Sequence, residues 1–98
     1  MWWYVYILIC VDKKSYIGCT NNLKNRINRH KKGYVHATKK RLPISLYACF
    51  AIKNKERAFR FEKYLKTGSG RIFLRKRLYP EDGQDGNARV LKTRGSNP

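Results

Sequence analysis

The stretch "WWYVYILICVDKKSYIGCT" (residues 2–20) decides the fold. Trp2–Val11 is apolar or aromatic throughout, so it predicts a strand buried on both faces and therefore central in its sheet. Asp12-Lys13-Lys14-Ser15 is a turn signal, and Tyr16–Thr20 returns as a short second strand. Together they form an antiparallel hairpin. The turn length matters, because a one-residue slip moves every side chain to the other face. A three-residue turn at 12–14 pairs Cys10 with Tyr16 and puts Tyr6 and Tyr16 on one face. A two-residue turn at 13–14 puts them on opposite faces. Both lengths fit the sequence. Gly18 is expected to mark a close approach to the strand backbone.

Working outward, Asn21 or Asn22 caps a helix that runs to about Lys32. Gly33–Arg41 reads as a basic loop. Pro43 opens a third strand, Ile44–Ala51, rich in strand formers. Asn54 caps a second helix to about Lys66, with Glu56 near its positive end. "TGSG" (67–70) breaks that helix. Ser69 or Gly70 starts a short third helix to Leu78. The expected architecture is an α/β (α+β) domain over residues 1–79: a small three-stranded antiparallel sheet flanked by helices 21–32, 54–66 and 70–78. Residues 80–98, with "EDGQDGN" and a "GSNP" ending, have no core pattern and are expected to be a disordered tail.

The formal net charge is +17 over 98 residues. Residues 20–80 hold 18 of the 23 Lys and Arg but only two acids, Glu56 and Glu62. Such clustering favours a polyanion, because phosphates release counterions to clustered cations. The expected partner is nucleic acid, most readily DNA. Lys24, Arg29, Lys31, Lys39, Lys40, Arg41, Lys66 and Arg71 are the expected phosphate contacts. No separate recognition element is visible, so little sequence-specific readout is expected. A membrane is disfavoured as partner: the longest apolar run is too short to span a bilayer and has no basic region before it. The three cysteines form no C-x-x-C pair, which argues against a disulfide framework or a zinc site and fits a reducing cytoplasm.

Helical periodicity of about 100° per residue places Leu23, Ile27 and His30 on one stripe of the first helix, with Arg26 beside it. Two roles are open for each polar residue: Arg26 snorkels past the core or serves a site, and His30 is a satisfied core histidine or a functional one. In the second helix Glu62 falls inside the apolar arc of Ala58, Phe61 and Leu65. A buried carboxylate is costly unless it is paired or holds a metal.

These residues, in this order, resemble the GIY-YIG nuclease domain. The first motif stands as "YVY" (4–6) and the second as "YIG" (16–18), with ten residues from Tyr6 to Tyr16. Arg26 occupies the place of the family's catalytic arginine. His30 stands where the family has a tyrosine or histidine, and Glu62 where it has its metal-binding glutamate. The resemblance covers residues 2–78 and is greatest to the short, stand-alone bacterial members. Tyr4 replaces the first-motif glycine. Cys19 stands where many members carry a lysine near the phosphate, and the distal asparagine of the repair-type members has no clear counterpart.

The resemblance implies metal-dependent hydrolysis of a phosphodiester in nucleic acid: an activated water attacks phosphorus and the 3′ oxygen leaves. Arg26 would stabilise charge on the phosphoryl oxygens, and Glu62 would hold one Mg²⁺, with Mn²⁺ as a substitute. Tyr6 or Tyr16 would act as general base or orient the water, with His30 sharing the role. The site would be one pocket lined by Tyr6, Tyr16, Arg26, His30 and Glu62, with Arg26 and Glu62 on the same side of the sheet. A monomer is favoured. The competing reading is a nucleic-acid-binding module that keeps the fold and cuts weakly or not at all, as Cys19 suggests.

Overall fold

The first hairpin closes through three residues, Val11–Lys13. The Cys10 N–H donates to the Lys14 carbonyl at 2.9 Å, and the Cys10 carbonyl accepts from the Lys13 N–H at 2.8 Å. Lys13 has φ of 67°, the left-handed residue that ends a three-residue hairpin loop. The computed structural model from which these distances come describes residues 1–79. The expected disordered tail at 80–98 lies outside the described residues.

Strand β1 (Trp3–Ile9) lies at the centre of a three-stranded antiparallel sheet ordered β2-β1-β3, between β2 (Ser15–Thr20) and β3 (Ser45–Ile52). Tyr6 faces Gly18, and Leu8 faces Tyr16. The loop thus sits one residue earlier than the three-residue turn considered above, and the pairing is displaced by two residues. A displacement of two preserves the faces, so Tyr6 and Tyr16 share one.

The glycine of "YIG" follows from this register. A Cβ on residue 18 would lie 2.5 Å from Cζ of Tyr6 and 2.9 Å from its Cε1, and closer still to its hydroxyl oxygen. The end of the Tyr6 ring therefore lies against the Gly18 backbone. Room for substrate is not what this glycine provides; the space belongs to Tyr6.

Helix α1 (Leu23–Lys31) covers the face that carries Tyr6 and Leu8. Leu23 and Ile27 pack on a buried cluster of Tyr6, Leu8, Cys10 and Ile44. Both its ends are specified locally. The Asn22 side chain accepts from the Asn25 N–H at 3.1 Å. At the other end Gly33 takes φ of 78°, with Gly33 N–H donating to the His30 carbonyl at 3.0 Å and Tyr34 N–H to the Arg29 carbonyl at 2.9 Å, the paired bonds of a Schellman motif. Helix α2 (Lys55–Leu65) belongs to the opposite face: Phe59 meets Trp3 at 5.5 Å between ring centroids, and Phe61 meets Phe50 edge-on at 5.0 Å. Asn54 caps it, accepting from the Arg57 N–H at 2.9 Å.

The chain clusters into two compact units, Met1–Tyr64 and a second from Leu65 onward, where the sequence suggests one domain over 1–79. The second unit holds α3 (Gly68–Arg77). This helix starts earlier than expected, because Thr67 caps it by accepting from the Gly70 N–H at 3.2 Å. The stretch "TGSG" ends one helix and begins the next.

The steric account predicts that Gly18→Ala destabilises the fold by about 1–3 kcal/mol, the usual range for overpacking a core. In a Tyr6→Leu background the same change should cost far less. Urea denaturation of the four proteins gives the coupling; an equal cost in both backgrounds contradicts the account.

Candidate nuclease site

Tyr6 is fully buried, and its hydroxyl is the hub of a polar chain inside the fold. It lies 3.0 Å from His30 Nε2. His30 is also fully buried, and its Nδ1 lies 2.8 Å from the Thr38 hydroxyl. Thr38 is buried too, held by a turn in which its N–H donates to the Val35 carbonyl at 3.1 Å. The Arg26 guanidinium lies within hydrogen-bonding reach of the Tyr6 oxygen. Arginine can only donate, so the arrangement that gives every proton an acceptor has the phenol donating to His30 Nε2 and His30 Nδ1–H donating to the Thr38 hydroxyl.

Burial shifts both titratable groups of this chain toward their neutral forms. Tyr6 is pushed up to about 12, chiefly by burial and further by Tyr16 and Glu62, with Arg26 opposing. His30 is lowered, first by burial and then by the Arg26 charge. Thr38 has no counterpart among the residues singled out from sequence. It lies eight residues beyond His30 in a loop without periodicity, so no pattern marks it.

Tyr16 is the partly exposed member of the cluster. Its ring meets that of His30 edge-on at 5.1 Å and that of Tyr6 at 6.4 Å. Arg26 is also partly exposed. The two partly exposed groups thus adjoin two that are fully buried.

Glu62 approaches differently from the expectation of one pocket on one face. It is half-buried on α2, whose aromatic residues pack on the face opposite to α1. Its charge nevertheless acts on Tyr6, and both Glu62 and Arg26 act on Cys19 of β2. Burial and Glu62 raise the Cys19 thiol while Arg26 lowers it. Both charges are felt at Cys19, in the C-terminal half of β2, an edge strand among the described residues. Tyr6 reaches this point because its ring crosses Gly18.

Among the described residues no three His, Cys, Asp or Glu side chains cluster as a metal site. One carboxylate fits Mg²⁺ only where substrate phosphates and waters complete the coordination, which is a usual arrangement for that ion. Lys24, Arg29, Lys31, Lys39 and Lys40 are exposed. Arg41 is engaged otherwise: its Nε donates to Asp12 Oδ2 at 3.1 Å and its Nη2 to Oδ1 at 3.4 Å, tying the hairpin loop to the segment before β3. Lys66 and Arg71 are exposed in the second unit.

Comparison with known proteins fits this geometry to a family. The GIY-YIG catalytic domain profile matches residues 2–77. The chain belongs to the GIY-YIG family. Curated relatives include a UPF0213 protein of Clostridium perfringens, 42% identical over 64 residues, covering 64% of this chain and 69% of that protein. A UPF0213 protein of Streptococcus pyogenes is 41% identical over 64 residues, covering 64% and 70%. The solution NMR structure of a UPF0213 protein from Bacillus halodurans shares 36% identity, covers 76% of this chain and 82% of that chain, and superposes with a TM-score of 0.49. Within the GIY-YIG frame, the glycine of the second motif is the one over which the tyrosine of the first motif lies.

The buried His30 makes stability depend on pH. Its folded pKa is depressed, so the unfolded chain binds a proton that the native chain does not. Stability therefore falls as pH drops below about 6.5, with a slope of at most about 1.4 kcal/mol per pH unit. Urea denaturation from pH 8 to pH 5 should show the fall, and His30→Gln should flatten that part of the profile. An unchanged profile in the variant contradicts a neutral, buried His30.

Proposed function

We propose that this domain is a metal-dependent endonuclease that hydrolyses phosphodiester bonds in nucleic acid, with DNA as the main substrate. The observation that carries the reading is the cluster of Tyr6, the half-exposed Tyr16 and His30, with Arg26 beside the buried Tyr6 hydroxyl. Membership of a nuclease family and the +17 net charge support it. Among the described residues, no helix is long and apolar enough to cross a membrane. A cytoplasmic monomer is the setting we infer from the three free cysteines and the small size.

The residues divide the work by exposure. Arg26 donates to the phosphoryl oxygens, where negative charge grows as water attacks. Tyr16 presents its hydroxyl to the attacking water and orients it. Tyr6 keeps its proton at neutral pH and holds Arg26 in place, and His30 and Thr38 hold Tyr6. Glu62 is the carboxylate that would hold Mg²⁺, which when bound neutralises charge on the phosphate and the leaving 3′ oxygen. A single carboxylate among the candidate residues favours one ion over two.

The alternative reading, a binding module with little activity, draws on Cys19. A raised, half-buried thiol there supplies no cation to the phosphate.

The discriminating experiment is a cleavage panel on labelled DNA and RNA with and without Mg²⁺. Wild type should cut only with the metal, and Arg26→Ala and Glu62→Ala should each lose roughly 10²–10³-fold in rate, as for one transition-state donor. DNA binding should persist in Glu62→Ala and weaken steeply with salt in every variant. Binding without Mg²⁺-dependent cutting by wild type would establish the binding-module reading instead.

A further inference from the structure

One open feature of the α1 face is lined by none of Tyr6, Tyr16, Arg26, His30 or Glu62. It is a groove of about 610 Å³ between α1, Tyr4 of β1 and Leu46 of β3. Its floor is apolar: Tyr4, Leu23, Ile27 and Leu46 line it. Its rim is formed by α1, where Lys24, Asn28 and Lys31 recur at helical spacing along one side. No acid lines it. The β3 side of this face is uncovered, with Leu46 46% exposed and Cys49 and Ala51 also exposed.

We propose that this groove binds an unpaired stretch of nucleic acid next to the scissile phosphate, so that the substrate carries a single-stranded flank. The inference rests on the nuclease reading above and adds the substrate's form to it. The charge of the rim selects a polyanion and disfavours a second copy of this strongly basic chain. The floor then separates two kinds of polyanion. A duplex offers phosphates and keeps its bases stacked inside, so an apolar floor gains nothing from it. A single strand offers both, a phosphate for Lys24 or Lys31 and a base face for the Tyr4 ring and Leu46. The groove has the volume of an ordinary small-ligand pocket and cannot admit a duplex. Asn28 on the rim offers an amide to a base edge, which gives at most a modest base preference.

The test is fluorescence anisotropy at one fixed salt concentration with two probes, a labelled single-stranded oligonucleotide and a blunt duplex of the same sequence. Leu46→Ser alters an exposed position and leaves the cations in place; Tyr4→Leu removes the aromatic face and keeps an apolar side chain. Each should weaken single-strand binding about tenfold and leave duplex binding within twofold. A duplex with a short single-stranded overhang should bind wild type more tightly than the blunt one. Equal losses on both probes, or no loss on the single strand, overturn the groove assignment and leave the nuclease reading standing. Wild type that binds neither probe overturns both. Concentration-dependent dimerisation abolished by Leu46→Ser, with single-strand binding unchanged, assigns the groove to a second copy and also overturns the proposal.

Discussion

The structure depends on one close approach, the Tyr6 ring lying over the backbone of Gly18. Any side chain at position 18 would displace the ring. With glycine there, the phenol crosses from the central strand to the edge strand without reaching solvent. Its hydroxyl then needs partners, because an unsatisfied buried polar group costs about 1–3 kcal/mol. His30 and Arg26 supply them from α1, and Thr38 satisfies the far nitrogen of His30. The position of α1, the course of the following loop and the aim of Arg26 all answer to that one hydroxyl.

This arrangement separates two tyrosines that look equivalent in the motifs. Tyr6 is buried and raised to about 12, so at neutral pH it is a fixed hydrogen-bond donor. Tyr16, two residues before the glycine, meets the same histidine edge-on but keeps partial access to solvent. A neutral, buried scaffold beneath a partly exposed surface suits a site that must meet a large anionic substrate. Preorganised donors stabilise developing charge without reorganising at the moment of reaction. The carboxylate, Glu62, belongs to the other helix, and its charge and that of Arg26 act in opposite directions on Cys19 of β2.

Local signals made much of this legible in the sequence. The run Trp2–Val11 marks the central strand, Asn22 and Asn54 mark helix starts, and Gly33 marks a helix end; each acts within a few residues. The candidate residues stood out for the same reason, since His30 and Glu62 fall within apolar stripes and Arg26 lies beside one. The register was not, because lysine at position 13 gives no hint of a left-handed φ. The start of α3 was hidden in "TGSG", where the Thr67 hydroxyl acts as a cap among residues that otherwise signal a break. Arg41 reads as one more cation until Asp12, distant in sequence, is seen to hold it. The faces of α1 and α2, the Thr38 partnership and the burial of Tyr6 over Tyr16 are tertiary facts with no local signature.

The central claim is that Tyr16 meets the substrate and Tyr6 supports the site from beneath. Single-turnover cleavage by Tyr16→Phe and Tyr6→Phe, measured across pH with saturating Mg²⁺, tests it directly. Loss of the Tyr16 hydroxyl should abolish most of the rate and alter the pH profile while leaving stability close to wild type. Loss of the Tyr6 hydroxyl should lower stability and cut the rate less, with the pH profile unchanged in shape. A Tyr6→Phe enzyme that is stable, loses the greater share of rate and changes its pH profile would contradict the account.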